Sequence, residues 1–317
     1  MTADRLNVAV LGPGGVGGFL AAMLAREGSS VLVLAGDDSA NAIEQSGLRL
    51  ESARFGNFTV SVSTATRLAD PVDACLFTVK ATQLSDAVGR VPANALGRGI
   101  VMPFLNGLEH VDYLRTVYPP ASVVAATIRI ETTKAEAGLI RHTSPFAAVE
   151  IAASPDNRDR VEPIAAHLKA AGLDVRVRDD ELAMLWDKFA LLAPMALLTT
   201  HERANAGGIR TRRREDAIAL IGEVADVARA DGVEIDRERV LKLLDSVPES
   251  MESSMQRDQA ARRPIELDAL GGALLRRAAR AGIAVPVAQR LVDDLQSRGE
   301  PAPRQEKRPE SDSKPAS

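Results

Sequence analysis

A glycine-rich stretch near the start of the chain carries a clear chemical signal. In VAVLGPGGVGGFLAAMLA, at residues 8–25, Gly12, Gly14 and Gly17 have the spacing G-x-G-x-x-G. The first glycine of this pattern permits a tight turn, the second lets a pyrophosphate approach the backbone, and the third allows a helix to pack closely on a strand. The free N–H groups at the start of the helix favour negative charge. The stretch predicts a dinucleotide-binding loop, and a glycine-rich turn without a ligand is the structural alternative.

The end of the next apolar run, in SVLVLAGDDS, bears on which dinucleotide would bind. An acidic residue at this place binds the ribose 2′-hydroxyl of NAD, whereas an arginine accepts the 2′-phosphate of NADP. Here Gly36 is followed by Asp37 and Asp38, with no arginine beside them. The pattern favours NAD. The alternative is that both aspartates are solvated loop residues or cap the next helix.

A lysine in an apolar helical segment is the candidate for acid–base chemistry. An enzyme that reduces a carbonyl with a nicotinamide needs a proton donor beside the forming alkoxide. The four histidines form no catalytic constellation and are interpreted as surface or hairpin residues, and no cluster of Cys and His predicts a metal site. Lys188, in LWDKFALLAPMALL, has mostly apolar neighbours, and desolvation there would lower its pKa towards neutrality. Lys188 is therefore a candidate general acid, unless its side chain reaches solvent from a helix end.

Short apolar runs that alternate with helical patterns must position these residues. The runs predicted as strands are VAVLG (8–12), SVLVLA (30–35), ACLFTVK (74–80), GIVMPFLNG (99–107) and SVVAATIRIE (122–131). Such alternation predicts a parallel sheet with crossover helices. A further stretch, LIRHTSPFAAVEIAA at 139–153, predicts a β-hairpin around a Ser-Pro turn, added antiparallel at the edge of the sheet.

From about residue 180 the pattern is helical only. The predicted fold class is therefore α/β, with an N-terminal Rossmann-type dinucleotide-binding domain at residues 1–179 and a C-terminal all-α domain at residues 180–300. The second domain is expected to carry the substrate and catalytic groups. Residues 301–317 are rich in Pro, Ser and charged residues and predict a disordered tail.

Composition argues against several classes of protein. The 317 residues carry a net charge of −4, which gives no bulk attraction to nucleic acid or to an anionic membrane. The single cysteine, Cys75, cannot form an internal disulfide. The sequence has no uninterrupted apolar window of membrane-spanning length and no signal peptide pattern. We expect a cytoplasmic protein, and the apolar helical part leaves room for a homodimer interface.

Five motifs, in one order up to about residue 298, resemble those of the ketopantoate reductase (2-dehydropantoate 2-reductase) family. They are GPGGVGG, FTVKATQLSDAV with Lys80, PFLNGLEH with Asn106 and Gly107, WDKFALL with Lys188, and ESSMQRDQAARRPIELDALGG with Ser254, Glu266 and Asp268. The resemblance implies reduction of the ketone of ketopantoate with NADPH, which gives D-pantoate for pantothenate synthesis.

The resemblance also implies roles for individual residues. Lys188 is the implied general acid, and closure of a cleft between the domains would bring the reacting groups together. The implied substrate-binding residues are Asn106, Ser254 and Glu266. The implied cofactor-binding residues are Gly12, Gly14, Gly15, Val16, Gly17, Lys80, Asn106 and Glu266.

The sequence departs from the family pattern at three positions. Leu192 and Ala196 stand where the family commonly has asparagines that bind substrate, and Gly36 stands where it often has an arginine. The loss of two polar anchors should weaken recognition of a substrate hydroxyl. With Asp37 and Asp38 next to Gly36, NAD(H) remains an alternative to NADP(H).

Three functional hypotheses are therefore open. The first is ketopantoate reduction, and the second is a dehydrogenase of the same fold that acts on a different, less polar 2-keto acid. The third is a non-catalytic sensor that binds a nicotinamide cofactor. The joint presence of Lys188, Ser254 and Glu266 argues against a sensor, which would need only the glycine-rich loop.

Overall fold

The chain up to residue 178 contains both strands and helices, and within the described part of the chain only helices follow. The computed structural model describes residues 5–299, so the tail predicted at 301–317 lies outside the described residues. The elements of the first part are β1 (Asn7–Leu11), α1 (Gly15–Arg26), β2 (Ser30–Leu34), α2 (Asp37–Ser46), β3 (Leu48–Ser52), β4 (Phe58–Val60), β5 (Ser63–Ala65), β6 (Ala74–Phe77), α3 (Leu84–Ala87), α4 (Ala93–Leu96), β7 (Ile100–Pro103), α5 (His110–Val117), β8 (Ala126–Arg129), β9 (Thr132–Glu136), β10 (Leu139–His142), β11 (Ala148–Ala152), α6 (Arg158–Ala170) and β12 (Asp174–Arg178).

The main sheet has the strand order β5-β2-β1-β6-β7, and each neighbouring pair is parallel. Strands β2 and β5 are added in chain order on one side of the central β1, and β6 and β7 are added on the other side, as in a doubly wound fold. Strands β6 and β7 are buried at every position, as expected where helices cover both faces. The winding direction reverses between β1 and β6, and open sheets of this kind bind ligands in the crevice at that point.

The two runs predicted to form a hairpin at 139–153 belong instead to two smaller sheets. Strand β10 pairs with β3 and β9, whereas β11 pairs with β8 and β12, so the two runs lie in different sheets. The apolar side chains of both runs enter the same core. Ile140 packs against the glycine face of α1 at Gly18, and Val149 and Ile151 contribute to the core together with apolar residues of α6. The hairpin prediction was wrong because β10 forms its hairpin with the preceding strand β9, whereas β11 pairs with the more distant β8 and β12.

The helical part is arranged around one long apolar helix. Its elements are α7 (Glu181–Glu202), α8 (Ala206–Arg212), α9 (Arg214–Ala230), α10 (Arg237–Ser246), α11 (Ser254–Ala260), a π-helical turn (Asp268–Gly272), α12 (Ala273–Ala281) and α13 (Pro286–Gly299). Helices α8 to α11 and α13 all contact α7. The predicted α/β fold with a Rossmann-type first domain and an all-α second domain is confirmed.

Helix α7 is the one helix of residues 5–299 that is long and apolar enough to cross a membrane by length and composition. The packing around it identifies it as a core helix, since 61% of its most apolar window is buried inside the protein. Trp186 packs edge-on against Phe189 at a centroid distance of 5.4 Å. Its indole N–H donates to Oδ2 of Asp231, the residue that follows α9, at 3.2 Å. These contacts fix the turn of α7 that carries Lys188.

Candidate active site

The glycine-rich loop connects the end of β1 to the start of α1 at the crevice. Gly12 has φ +91°, and a Cβ there would lie 2.7 Å from Val79 Cγ1. A Cβ at Gly17 would overlap the carbonyl oxygen of Gly12, so this glycine allows α1 to pack on β1. A Cβ at Gly14, in contrast, would meet nothing within 4 Å. The open side of the loop therefore lies at Gly14.

This geometry fits a dinucleotide. The first helical hydrogen bond of α1 runs from the N–H of Gly18 to the carbonyl of Gly14 at 2.9 Å. The N–H groups of Gly15, Val16 and Gly17 precede that bond, and first-turn N–H groups have no acceptor within their own helix. Together with the positive end of the helix dipole, they offer a site for phosphate beside the open face of Gly14.

The aspartates after β2 begin a helix. Gly36 is the N-cap of α2, and Asp37 and Asp38 are exposed residues of its first turn. A cation reaches the same turn from β9, where Lys134 Nζ donates to Ser39 Oγ at 2.8 Å. The first turn of α2, the place at which Rossmann-type folds contact a ribose 2′ group, thus contains charges of both signs.

Lys80, after β6, forms an ion pair with the helical part. Its Nζ donates to Asp258 Oδ2 on α11 at 2.6 Å, and Arg263 Nε donates to the other carboxylate oxygen at 2.9 Å. Asp258 is buried, whereas the Lys80 side chain remains 36% exposed at the crevice. The contact ties the loop after β6 to the segment that contains the S-S-M-x-x-D sequence.

Glu266 joins both parts of the chain. One of its carboxylate oxygens accepts the backbone N–H of Ala81 at 2.8 Å, and the other accepts Asn106 Nδ2 at 3.0 Å. The residue is only 7% exposed, so these bonds satisfy a buried carboxylate. The neighbouring Gly107 packs closely against the same segment: its φ is +101°, and a Cβ would lie 2.6 Å from the carbonyl oxygen of Ala269. Asn106 and Glu266, far apart in sequence, therefore meet in one place.

Lys188 projects from α7 into a small recess beside this pair. The lining residues of the recess are Leu105, Gly107, Thr127, Leu185, Lys188, Phe189 and Leu192. The pKa of the Lys188 ammonium is lowered to about 8, chiefly by burial and then by the positive charge of Arg129, while Glu266 acts in the opposite direction. The residue is nevertheless only half-buried, so an opening to solvent remains.

The two positions expected to be asparagine differ in their surroundings. Leu192 lines the recess and is half-buried, so it faces the place where a substrate would lie beside Lys188. Ala196, one turn further along α7, is 1% exposed and belongs to the core of the helical part. Of the two, Leu192 is the residue that makes the recess less polar.

Ser254 and its neighbour have different environments. Ser253 is buried, accepts the N–H of Gln256 at 3.1 Å as the N-cap of α11, and receives a hydrogen bond from Thr199 Oγ1 at 2.8 Å. Ser254 is exposed. Ser253 therefore caps the N-terminus of α11, whereas the side chain of Ser254 is accessible to a ligand. Asp268 is also exposed and pairs with Arg276 at 2.6 Å.

His110 was interpreted from the sequence as a surface or hairpin residue, and the structure corrects this. It is 6% exposed, and neither of its ring nitrogens has a hydrogen-bond partner among the described residues. Burial and the charge of Lys188 lower its pKa to about 3, so the imidazole is neutral. It lies three residues after Gly107, at the end of the PFLNGLEH motif, but only the fold reveals its proximity to Lys188.

Two protein-family models match this chain, one in the α/β part and one in the helical part. The family model Ketopantoate reductase PanE/ApbA matches residues 8–156, and Ketopantoate reductase PanE/ApbA C terminal matches residues 180–298. The 2-dehydropantoate 2-reductase of Mycobacterium tuberculosis is 32% identical over 294 residues, which cover 90% of this chain and 95% of that protein.

Solved structures agree with these matches. The PanE/ApbA family ketopantoate reductase from Ralstonia eutropha JMP134 superposes with a TM-score of 0.83 at 29% identity, covering 92% of this chain and 98% of that one. D-mandelate dehydrogenase, solved with NADH and anilino(oxo)acetate, has a TM-score of 0.86 at 20% identity, covering 93% and 98%, and shares the fold. The matches to both parts and the full-length relative show that this chain is an NAD(P)-dependent oxidoreductase that belongs to the ketopantoate reductase family.

Proposed function

We propose that the protein reduces the C2 ketone of ketopantoate to the alcohol of D-pantoate with NADPH. The observation that carries this proposal is the meeting of Lys188 with the Asn106–Glu266 pair beside the crevice. A proton donor with a lowered pKa lies there next to hydrogen-bonding groups from both parts of the chain. In this proposal residues 1–179 bind the cofactor and residues 180–300 carry the substrate and catalytic groups.

The chain's own contribution to the reaction is the proton. A bound reduced nicotinamide supplies the hydride that C2 receives. Lys188 Nζ donates a proton to the ketone oxygen as the C–H bond forms, so the carbonyl becomes a hydroxyl, and the neutral amine then regains a proton from solvent. A pKa of about 8 suits this role, because the amine is mostly protonated at neutral pH and yet releases its proton readily.

The remaining predicted residues receive roles from their positions. Asn106 would contact both substrate and nicotinamide, and Glu266 orients Asn106 through the 3.0 Å hydrogen bond. Ser254, exposed at the start of α11, would bind the substrate. Lys80 is assigned to the cofactor because its half-exposed side chain lies at the crevice, beside Asp258.

The preference for NADPH has one structural support. Gly36 stands where an arginine is expected after β2. The ammonium of Lys134, however, lies at the first turn of α2, 2.8 Å from Ser39 Oγ. A cation at this place can pair with a 2′-phosphate. The exposed Asp37 and Asp38 support the alternative, NADH.

A second candidate substrate is a 2-keto acid with a less polar side chain. Leu192 favours it, because this residue lines the recess together with Leu105, Leu185 and Phe189. An apolar recess cannot offer a substrate hydroxyl the hydrogen bonds that it loses on leaving water.

Initial rates of NADPH and NADH oxidation test these proposals together. Ketopantoate is compared with 3,3-dimethyl-2-oxobutanoate, which lacks only the hydroxyl. Faster turnover of ketopantoate supports the first proposal, and faster turnover of the deoxy compound supports the second. Tight cofactor binding without turnover of any 2-keto acid would contradict both and favour a non-catalytic sensor.

A further inference from the structure

One face of the sheet β12-β11-β8 is polar and lies against α7. On β8, Ala126 and Ile128 belong to the apolar core, so Thr127 and Arg129 point to the opposite face. Thr127 lines the recess that contains Lys188. Arg129, two residues further along the same strand, is close enough to Lys188 to lower the pKa of its ammonium. Lys188 and Thr127 line the recess, and Arg129 lies on the same face of β8 as Thr127, roughly 7 Å further along the strand.

The carboxylate that partners Arg129 is shared. Glu150 accepts Arg129 Nη1 at 2.7 Å, lies 3.3 Å from Arg178 Nη1 and lies 4.0 Å from Arg176 Nη1. One carboxylate thus serves three guanidinium groups. Its bond to Arg129 uses a single donor of the five that a guanidinium offers. The Arg129 side chain remains 39% exposed, so its other donors are accessible.

The buried polar groups around the recess also lack partners. Thr127 is 2% exposed, and its Oγ1 has no hydrogen-bond partner among the described residues. Nor does any ion pair within residues 5–299 involve Lys188. A buried hydroxyl without a partner is costly, and an ammonium in a mostly apolar recess is stabilised by a nearby opposite charge. A ligand with a negative charge and several oxygen acceptors would satisfy both.

We propose that Arg129 binds the carboxylate of the 2-keto acid, which leaves Lys188 to protonate the ketone oxygen. This assignment rests on the proposed reduction of a 2-keto acid and adds the group that recognises the acid. A guanidinium is well suited to the task, because its planar donors match a carboxylate in geometry. Binding of the carboxylate by Arg129 would also offset the loss of a polar side chain at Leu192, because recognition of the carboxylate does not depend on contacts with the rest of the substrate.

The test uses the variants Arg129→Gln and Arg129→Lys, with Arg176→Gln as the matched control. Arg176 approaches the same carboxylate, but its side chain is 76% exposed. Each variant is assayed with ketopantoate and with its neutral carboxamide. We expect Arg129→Gln to raise the KM for the acid by a factor on the order of 10 to 100 and to leave the KM for the carboxamide unchanged. Arg129→Lys should lie between wild type and Arg129→Gln, and Arg176→Gln should resemble wild type.

An equal rise in both KM values, or no rise for the acid, would overturn the assignment. Calorimetric binding of oxamate in the presence of NADPH provides a second measurement that needs no turnover. If the wild-type protein reduces no 2-keto acid but Arg129→Gln alone weakens oxamate binding, the carboxylate site stands and the proposed reaction fails. If turnover is normal and oxamate binds all variants equally, the reaction stands and the role of Arg129 fails.

Discussion

Opposing charges act on the ammonium of Lys188. Burial and Arg129 favour its neutral form, whereas Glu266 favours its charged form, and the resulting pKa is about 8. Reduction needs the protonated amine, and oxidation of the product alcohol needs the neutral one. We therefore predict that kcat/KM for reduction is constant below about pH 8 and falls above it, and that the reverse reaction has the opposite dependence.

Glu266→Gln should move this profile in a defined direction. Loss of the negative charge removes the interaction that raises the pKa of Lys188, so the fall in the reduction rate should begin at a lower pH than in wild type. A pH–rate series of kcat/KM for both proteins checks this. An unchanged profile in the variant, or a profile in wild type that is flat through pH 8, would contradict the proposed acid.

Two glycines of the loop should respond differently to alanine. Gly17→Ala places a methyl group against the carbonyl of Gly12, so it should destabilise the fold by about 1–3 kcal/mol. Gly14→Ala meets open space in an extended backbone conformation, so stability should be unchanged while dinucleotide binding weakens. Thermal unfolding and cofactor titration separate the two effects. Wild-type affinity in Gly14→Ala would argue against a phosphate at this place.

At the scale of elements, α2 and β9 meet where the cofactor's ribose is expected. Lys134→Gln removes the cation that β9 brings to α2, so we predict about a tenfold higher KM for NADPH and an unchanged KM for NADH. Lys169→Gln is the matched control, because this exposed lysine lies in the last turn of α6. Equal losses with both cofactors would show that Lys134 does not read the 2′-phosphate.

The elements also show what sequence patterns can reveal. Apolar runs followed by glycine predicted the central strands correctly, because strands buried on both faces are continuously apolar. The predicted runs at 74–80, 99–107 and 122–131 were too long, and the strands are Ala74–Phe77, Ile100–Pro103 and Ala126–Arg129. The last of these was predicted for the parallel sheet but lies in the three-stranded sheet, antiparallel to β11. Pairing of the run at 139–153 was wrong because alternation along a strand does not identify its partner: β10 forms its hairpin with the preceding β9, and β11 pairs with the more distant β8 and β12.

At the scale of the whole molecule, polar contacts around the crevice hold the two parts together. Besides the Lys80 and Glu266 contacts, Arg276 donates to Glu109 at 2.6 Å, and Arg115 pairs with Glu181 through two hydrogen bonds of 2.7 Å. The loop that carries Asn106 is thereby fixed against the π-helical turn and α12. This arrangement lets residues from both parts form one site.

The candidate site was predictable to the extent that motifs carry it. Spacing predicts the glycine loop, and apolar surroundings make Lys188 one candidate that the resemblance then favours. The resemblance also supplies the predictions for Asn106, Ser254 and Glu266. Arg129 and His110 were not predicted as site residues, because only the tertiary packing of β8 and α5 brings them beside α7. Their burial and their proximity to Lys188 depend on contacts between segments that no local pattern encodes.

The most direct test of the account is the turnover of Lys188→Ala. Single-turnover reduction of ketopantoate by NADPH is measured for wild type, Lys188→Ala and Lys188→Arg, with cofactor affinity determined in parallel. We predict that the alanine variant binds NADPH normally and loses a factor on the order of 10² to 10⁴ in rate, the contribution of a positioned general acid. The arginine variant keeps the charge but holds its proton, so it should remain slow. A rate in Lys188→Ala close to that of wild type would contradict the central role given to this lysine.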